Sequence, residues 1–398
     1  MPDNAGHTEA LGETIADLVA WFDRYGLAGY DPYDVYDHPV MRLLRRTRGT
    51  RISGAWTTAD RAVQRNPHGA RRLLRQKPHE NSKAVGLLLG AWTRLQTAGL
   101  RAWPEDGATL VDWLDQHRHT DYPGASWSYP FAFRSRINFP PGTPYSITTA
   151  ICGEALLDYA IYRKDDLARG LAHEVGVFIA DALPRYTTEH GVYLPYTPID
   201  DFAVHNVSIS LGALLARLAR DFDAPAWAEL AHEVLQFTLS EQRDDGAFEY
   251  WAAHQSTGRH VDNYHTGFVL RALLQYEDLG YAEASAPLER AWAHYAREFV
   301  LADGTVRTIE GQYLPVNIHA CAESILCGAT LADRFPDALD LAERAYRWTA
   351  ENLRNDDGSF GYGIFGYGYQ PMAYTRWGEA WMLRALAELT CASPANGR

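Results

Sequence analysis

Six times along this chain a loop rich in proline, glycine and aromatic residues runs into an apolar helical stretch of much the same design. The stretches begin near Ser82, Tyr145, Val204, Asn263, Ile318 and Thr375. Several carry a short core such as Ala155-Leu156-Leu157, Ala213-Leu214-Leu215, Ala272-Leu273-Leu274 or Ser324-Ile325-Leu326, and successive cores lie roughly 52 to 61 residues apart. That interval is the span of a helical hairpin with its loops. Partner stretches near 8–25, 108–118, 166–184, 224–240, 284–298 and 337–354 are amphipathic instead. In one of them Trp227, Leu230, Ala231, Val234 and Phe237 fall on one helical face, with Glu229, His232 and Glu233 on the other. A helix that is apolar nearly all round is enclosed by neighbours, and one with a single apolar stripe lies outside. Six of each predict an all-α (α/α)6 toroid, closed so that no hairpin leaves its apolar face in water; the open alternative is a helical solenoid.

The repeat crosses the midpoint of the 398 residues and no Ser/Gly linker interrupts it. The chain therefore reads as one domain, with an N-terminal outer helix and a basic Arg-rich segment in 1–80 and the toroid in 81–392. Four cysteines without disulfide-like spacing, no signal peptide and no apolar run of about 18 residues predict a cytoplasmic protein. The net charge of −13 conceals an asymmetry. Residues 42–77 hold eleven Arg or Lys (Arg42, Arg45, Arg46, Arg48, Arg51, Arg61, Arg65, Arg71, Arg72, Arg75 and Lys77) against one acid, Asp60. With Leu, Ile and Trp56 interspersed, the block suits an anionic substrate or contact with an anionic membrane surface; a solvated arm packed on the acidic toroid is the plain alternative. No nucleic-acid-binding module is discernible and no nucleic-acid partner is expected.

In a toroid the loops leading into the inner helices gather at one mouth, where helix N-termini present unpaired N–H groups and a positive dipole end. These loops interleave aromatic residues with Asp, His, Asn and Arg, the types a sugar site needs, since rings stack on C–H faces while polar groups bind hydroxyls. Candidate binding residues are Trp127, Tyr129, Arg134, Arg136, Tyr196, Asn206, Tyr264, His319, Tyr374, Arg376 and Trp377. The three arginines suit a carboxylate or phosphate, because a guanidinium meets two acceptor oxygens at once. Acid–base chemistry needs a donor and an acceptor whose pKa values are set apart. Asp262 and His265, three residues apart, share a face of a first helical turn, and Asp200, Asp201, His205 and Glu310 are candidates for the second group. Asp262 also suits an N-cap, as do Asn206 and Asn317. His205, His265 and His319 open three consecutive inner helices, which invites zinc, but in the register of the Ala-Leu-Leu cores they lie at different depths, and no metal or cofactor is assigned. Deeper in the same helices Glu154, Arg271, Glu323 and Arg384 occupy equivalent positions and predict ion pairs on the lumen floor.

The segment Val261-Asp262-Asn263-Tyr264-His265-Thr266-Gly267, the paired Asp-Asp-Gly-x-Phe loops at 244–248 and 356–360, and the six-hairpin count together resemble the six-hairpin glycosidase superfamily. That group includes unsaturated-glucuronyl hydrolases, sugar 2-epimerases and toroidal polysaccharide lyases. The resemblance covers most of 80–390 and is mainly architectural. It implies that Asp262, in a context similar to the Trp-Val-Asp of the glucuronyl hydrolases but with His260 in place of the Trp, is the general acid/base. From the epimerases it implies that His205, His265 and His319 serve as acid and base. Glu241-Gln242-Arg-Asp-Asp-Gly246-Ala-Phe248 bears a weaker resemblance to the repeats of terpenoid cyclases, whose Asp-rich motifs are missing here. The expectation is an enzyme using general acid–base chemistry on a small anionic saccharide, free or lipid-phosphate-linked, by uronide hydrolysis, epimerisation or elimination. The alternatives are a terpenoid cyclase-like toroid acting on a prenyl substrate and a non-catalytic carbohydrate-binding scaffold.

Overall fold

Short polar side chains set where several inner helices begin. Asn81 Oδ1 accepts the Lys83 N–H at 3.0 Å, Asp262 Oδ1 that of His265 at 3.0 Å, and Asn317 Oδ1 that of Ala320 at 3.0 Å. The computed structural model describes residues 4–48 and 53–393. Its α-helices are α1 (Asn4–Tyr25), α2 (Pro39–Arg45), α3 (Ser53–Arg65), α4 (Pro67–Leu74), α5 (Ser82–Thr97), α6 (Ala108–His117), α7 (Ser146–Arg163) and α8 (Asp166–Val177). They continue with α9 (His205–Phe222), α10 (Pro225–Ser240), α11 (Asn263–Asp278), α12 (Ser285–Glu298), α13 (Ile318–Thr330), α14 (Ala338–Leu353) and α15 (Ala380–Ala392).

Helices α5, α7, α9, α11, α13 and α15 form the inner ring, each packed on the next, and α15 packs on α5 to close it. Close approach needs small residues at the crossings. A Cβ on Gly86 of α5 would lie 3.0 Å from Cys152 Sγ and 3.1 Å from the Cys152 Cα of α7. Helices α6, α8, α10, α12 and α14 back the ring with one apolar stripe each. On α14 Leu341, Ala342, Ala345, Tyr346 and Leu353 are buried while Asp340 and Glu351 face outward. The sixth outer helix is α1, which packs on α15; its Thr14 hydroxyl lies 2.9 Å from the Tyr346 hydroxyl of α14. The closed (α/α)6 toroid predicted from the repeat is the fold.

Three small antiparallel sheets decorate the mouth: β1 (Phe133–Arg134) with β2 (Asn138–Phe139), β3 (Tyr186–Thr188) with β4 (Gly191–Tyr193), and β5 (Val316–Asn317), β6 (Gly363–Phe365) and β7 (Gly368–Gln370) in that order. Helices α2 to α4, carrying the basic block, have their own small core of Val35, Met41 and Val63. Part of that block is internal. Arg71 is buried, pairs with Asp34 at 2.6 Å, donates to the Asp31 carbonyl, and sits 5.3 Å from the ring centres of both Tyr30 and Tyr374. Arg51 lies outside the described residues. No described helix is long and apolar enough to cross a membrane.

At the C-terminal end of the inner helices a cavity of about 340 Å³ is lined by charge, including Glu154, Arg271 and Arg384. Arg271 donates to Glu323 at 2.9 Å across the α11–α13 seam, as the repeat positions suggested. Arg384 instead pairs within its own helix, to Glu388 at 2.6 Å, and Glu388 also takes Arg94.

Candidate active site

At the loop end of the lumen a second cavity, of about 210 Å³, receives side chains from near the starts of five inner helices and from the turn that leads into the sixth. Lys83 comes from α5, Ile147 from α7, Asn206 from α9, Tyr264, His265 and Phe268 from α11, and His319 from α13. Arg376 and Trp377 come from a π-helical turn, Thr375–Glu379, that leads into α15. Loops add Tyr33, Tyr129, Phe133, Tyr196 and Tyr250. Ile147 and Phe268 also line the charged cavity at the far end, so they form the partition between the two.

His265, backed by Asp262, makes the most polar wall. While Oδ1 caps the helix, Asp262 Oδ2 meets His265 Nδ1 at 2.6 Å and His260 Nε2 at 3.0 Å. Burial alone would raise the Asp262 carboxyl, but the charge of His265 and the hydrogen bonds from His260 and His265 outweigh it and hold the pKa well below the usual carboxylate range. In the neutral form of His265, an ionised carboxylate on Nδ1 makes that nitrogen the donor and leaves Nε2, on a cavity residue, as the proton acceptor. Asp262 itself is only 3% exposed and lies behind the imidazole, outside the cavity lining.

The remaining walls are cationic and aromatic. Burial first, then the charge of Arg376, brings the Lys83 ammonium down to about 7, so both its forms are present at neutral pH. Arg376 pairs with Asp31 of the α1–α2 loop and lies 4.9 Å from the Tyr129 ring and 5.0 Å from that of Trp377; burial opposes its charge, and Asp31 more than restores it. His319 is stacked between Tyr264, at 4.6 Å and 10°, and Trp381, at 4.7 Å and 28°. Burial, then the charges of Lys83 and Arg376, push its pKa well down and keep it neutral. Both His319 ring nitrogens, Asn206 Oδ1, Arg376 Nη2 and Trp377 Nε1 are buried without a hydrogen-bond partner among the described residues. Buried polar atoms are nearly always paired, so their gathering around one cavity makes it the candidate site for a polar ligand.

Of the residues singled out in the sequence, Tyr129, Tyr196, Asn206, Tyr264, His265, His319, Arg376 and Trp377 line this cavity, with Asp262 behind His265. The others lie elsewhere. Trp127 is fully buried and donates to the Leu114 carbonyl at 2.9 Å, and Tyr374 is buried beneath Arg71. His205 faces the outer helix, 5.7 Å from the Phe237 ring and 3.8 Å from Glu241; burial, then His254, lowers its pKa to about 4. One residue of helix is roughly 100° of rotation, and it is Asn206 that takes the lumen position on α9. Asp201 is exposed on the loop before α9. Glu310 is held by Arg259 at 2.5 and 2.7 Å and lies 3.5 Å from His294. Arg136 lies 3.6 Å over the Trp251 ring, and Arg134 lines a separate cleft.

The three inner-helix histidines do not gather on one point among the described residues. Ligand atoms of His260, Asp262 and His265 lie within 4.8 Å of one another, as do those of Asp245, His294 and Glu310. In the first group Asp262 already bridges both imidazoles, and in the second the Arg259 guanidinium reaches both carboxylates. The cavity residues that sequence reasoning missed are Tyr33, Lys83, Phe133, Ile147, Tyr250 and Phe268. Lys83 carried a signal, as the one charged residue between Asn81 and Thr93.

No protein-family model matches the sequence, and comparison with curated proteins finds no match. Solved structures do share its fold. A cellobiose 2-epimerase from Spirochaeta thermophila aligns over 79% of this chain and 88% of its own, with TM-score 0.61 and 14% identity. A family 88 glycosyl hydrolase from Bacteroides vulgatus aligns over 79% and 92%, with TM-score 0.58 and 14% identity. A GH76 alpha-mannanase from Bacteroides thetaiotaomicron aligns over 79% and 87%, with TM-score 0.58 and 12% identity. The chain thus has the (α/α)6 toroid fold in which an epimerase and two glycoside hydrolases are built.

Proposed function

We propose that the protein is a carbohydrate-active enzyme that performs general acid–base chemistry on a saccharide held in the toroid mouth. The observation that carries this reading is His265, held by Asp262 behind it and facing a cavity walled by aromatic rings and by polar atoms that lack partners among the described residues. His265 Nε2 takes a proton from a sugar carbon or hydroxyl, and Asp262 stabilises the imidazolium that results. Lys83, lining the same cavity with its pKa near 7, returns a proton. Arg376 holds negative charge, either a substrate carboxylate or the enolate that forms beside a carbonyl. The sugar class is supported by the stacking surfaces and by the epimerase, hydrolase and lyase activities of the proteins that share the fold.

Proton transfer in epimerisation or elimination is favoured over glycoside hydrolysis. Hydrolysis in most glycosidases needs two carboxyl groups flanking the bond, and no Asp or Glu is among the described residues that line this cavity. The test is proton NMR in D2O against a panel of free sugars and uronides. Wild-type protein is expected to place deuterium in a sugar ring or to form an unsaturated product. His265→Asn is expected to lower that rate on the order of 10²-fold or more with the fold retained. Silence on every saccharide, or full activity in His265→Asn, sinks the reading.

A further inference from the structure

Beside the lumen cavity lies a larger cleft, of about 730 Å³, enclosed by α2, α3 and the β1–β2 hairpin. The two adjoin at Tyr33 and Phe133, which line both and whose rings meet edge to face at 5.3 Å. Five arginines line the cleft: Arg42, Arg45, Arg46, Arg48 and Arg134. Two acids accompany them, and both are engaged. Asp60 takes the Tyr36 hydroxyl at 2.7 Å and Gln64 at 3.1 Å; Asp37 takes the Ala132 N–H at 3.1 Å and lies 3.7 Å from Arg42. Arg45 lies 5.5 Å over the Trp56 ring. Arg46, Arg48 and Arg134 are exposed and have no ion-pair partner among the described residues. Burial first, then the charges of Arg134 and Arg48, lower the pKa of Arg45.

Like charges converging on one cleft are held at a cost that a multivalent anion offsets. One carboxylate satisfies one guanidinium through two parallel bonds and leaves the others unpaired. A diphosphate places several negative charges and many acceptor oxygens within a few ångströms, and so serves several guanidinium groups together. We propose that this cleft binds the diphosphate of a sugar diphosphate, whose sugar is directed across the Tyr33–Phe133 pair toward the adjoining lumen cavity. The proposal rests on the reading of the lumen cavity as a sugar site. A nucleoside diphosphate and a polyprenyl diphosphate are the two carriers with this chemistry.

The test is calorimetric titration of the full chain with inorganic pyrophosphate, UDP, farnesyl diphosphate and glucuronate, in wild type and in Arg46→Gln/Arg48→Gln/Arg134→Gln. All three positions are exposed, and circular dichroism checks that the variant folds. Pyrophosphate is expected to bind wild type, to weaken by about tenfold or more in the triple variant, and to weaken steeply with salt. Glucuronate is expected to be indifferent to the three changes. Whichever of UDP and farnesyl diphosphate binds more tightly through the arginines identifies the carrier. Pyrophosphate that fails to bind, that binds the variant equally, or that loses no more than glucuronate does overturns the proposal. The two readings fail separately. Arginine-dependent pyrophosphate binding with no sugar turned over removes the catalytic reading alone, and sugar turnover with pyrophosphate indifferent to the arginines removes the cleft alone.

Discussion

Lys83 shows how a single side chain couples the site to stability. Its pKa is about 7 in the folded protein against 10.5 for an ordinary lysine. Between those values the unfolded chain holds a proton that the folded chain lacks, so stability rises with pH through the window, and below it the full cost of burying the charge is present. Lys83→Met is expected to raise the Tm at neutral pH and to flatten the rise in stability from about pH 7 to 10.5, while turnover falls; urea denaturation across that range, beside the NMR assay, measures both. At this scale the sequence was partly legible. The Val261-Asp262-Asn263-Tyr264-His265 string showed a cap and an imidazole on one face, and the structure has them 2.6 Å apart. His205 and Asn206 stand side by side at a helix start, and only the rotation of α9, which is set by packing against α10 and α11, decides that the asparagine faces the lumen. Arg71 could not be separated from its basic neighbours by charge alone, because its role as an internal strut depends on Asp34, brought to it by the fold.

Among the elements, the inner helices read clearly because a helix enclosed on every side must be apolar on every side. Their small residues are equally constrained. Gly86→Ala would bring a methyl group to 3.0 to 3.2 Å from the Cys152 Sγ, Cα and N. Two of those atoms are backbone and cannot step aside, so α5 and α7 must part. The expected cost is about 1–3 kcal/mol, read as a lower urea midpoint with an unchanged slope. Helices α2 to α4 escaped notice as a unit because three short helices around a three-residue core leave little periodicity to detect. The mouth hairpins escaped for the same reason, with strands of two or three residues each.

For the whole molecule, the decisive joint is between the two ends of the chain. Helix α1 supplies the outer partner of α15, and Asp17 of α1 pairs with Arg354, just past the end of α14. Deleting residues 1–25 is therefore expected to open the ring rather than trim it. Size-exclusion chromatography and circular dichroism should show loss of the cooperative unfolding transition and aggregation, and a soluble, sharply melting truncation would refute that expectation. The ring also brings Asp31 and Tyr33 to the mouth from a segment that looks peripheral in the sequence.

Ile147 and Phe268, which stand between the mouth cavity and the charged cavity at the opposite end, turn a ring that could have been a tunnel into a blind well. A blind well cannot thread a polymer. It receives a chain terminus or a single unit, and what leaves must go back the way it came, so each turnover ends only when the doorway is cleared. For a sugar enzyme of this shape, the step that follows chemistry is release back through the mouth, and the loops that rim it become a setting for speed.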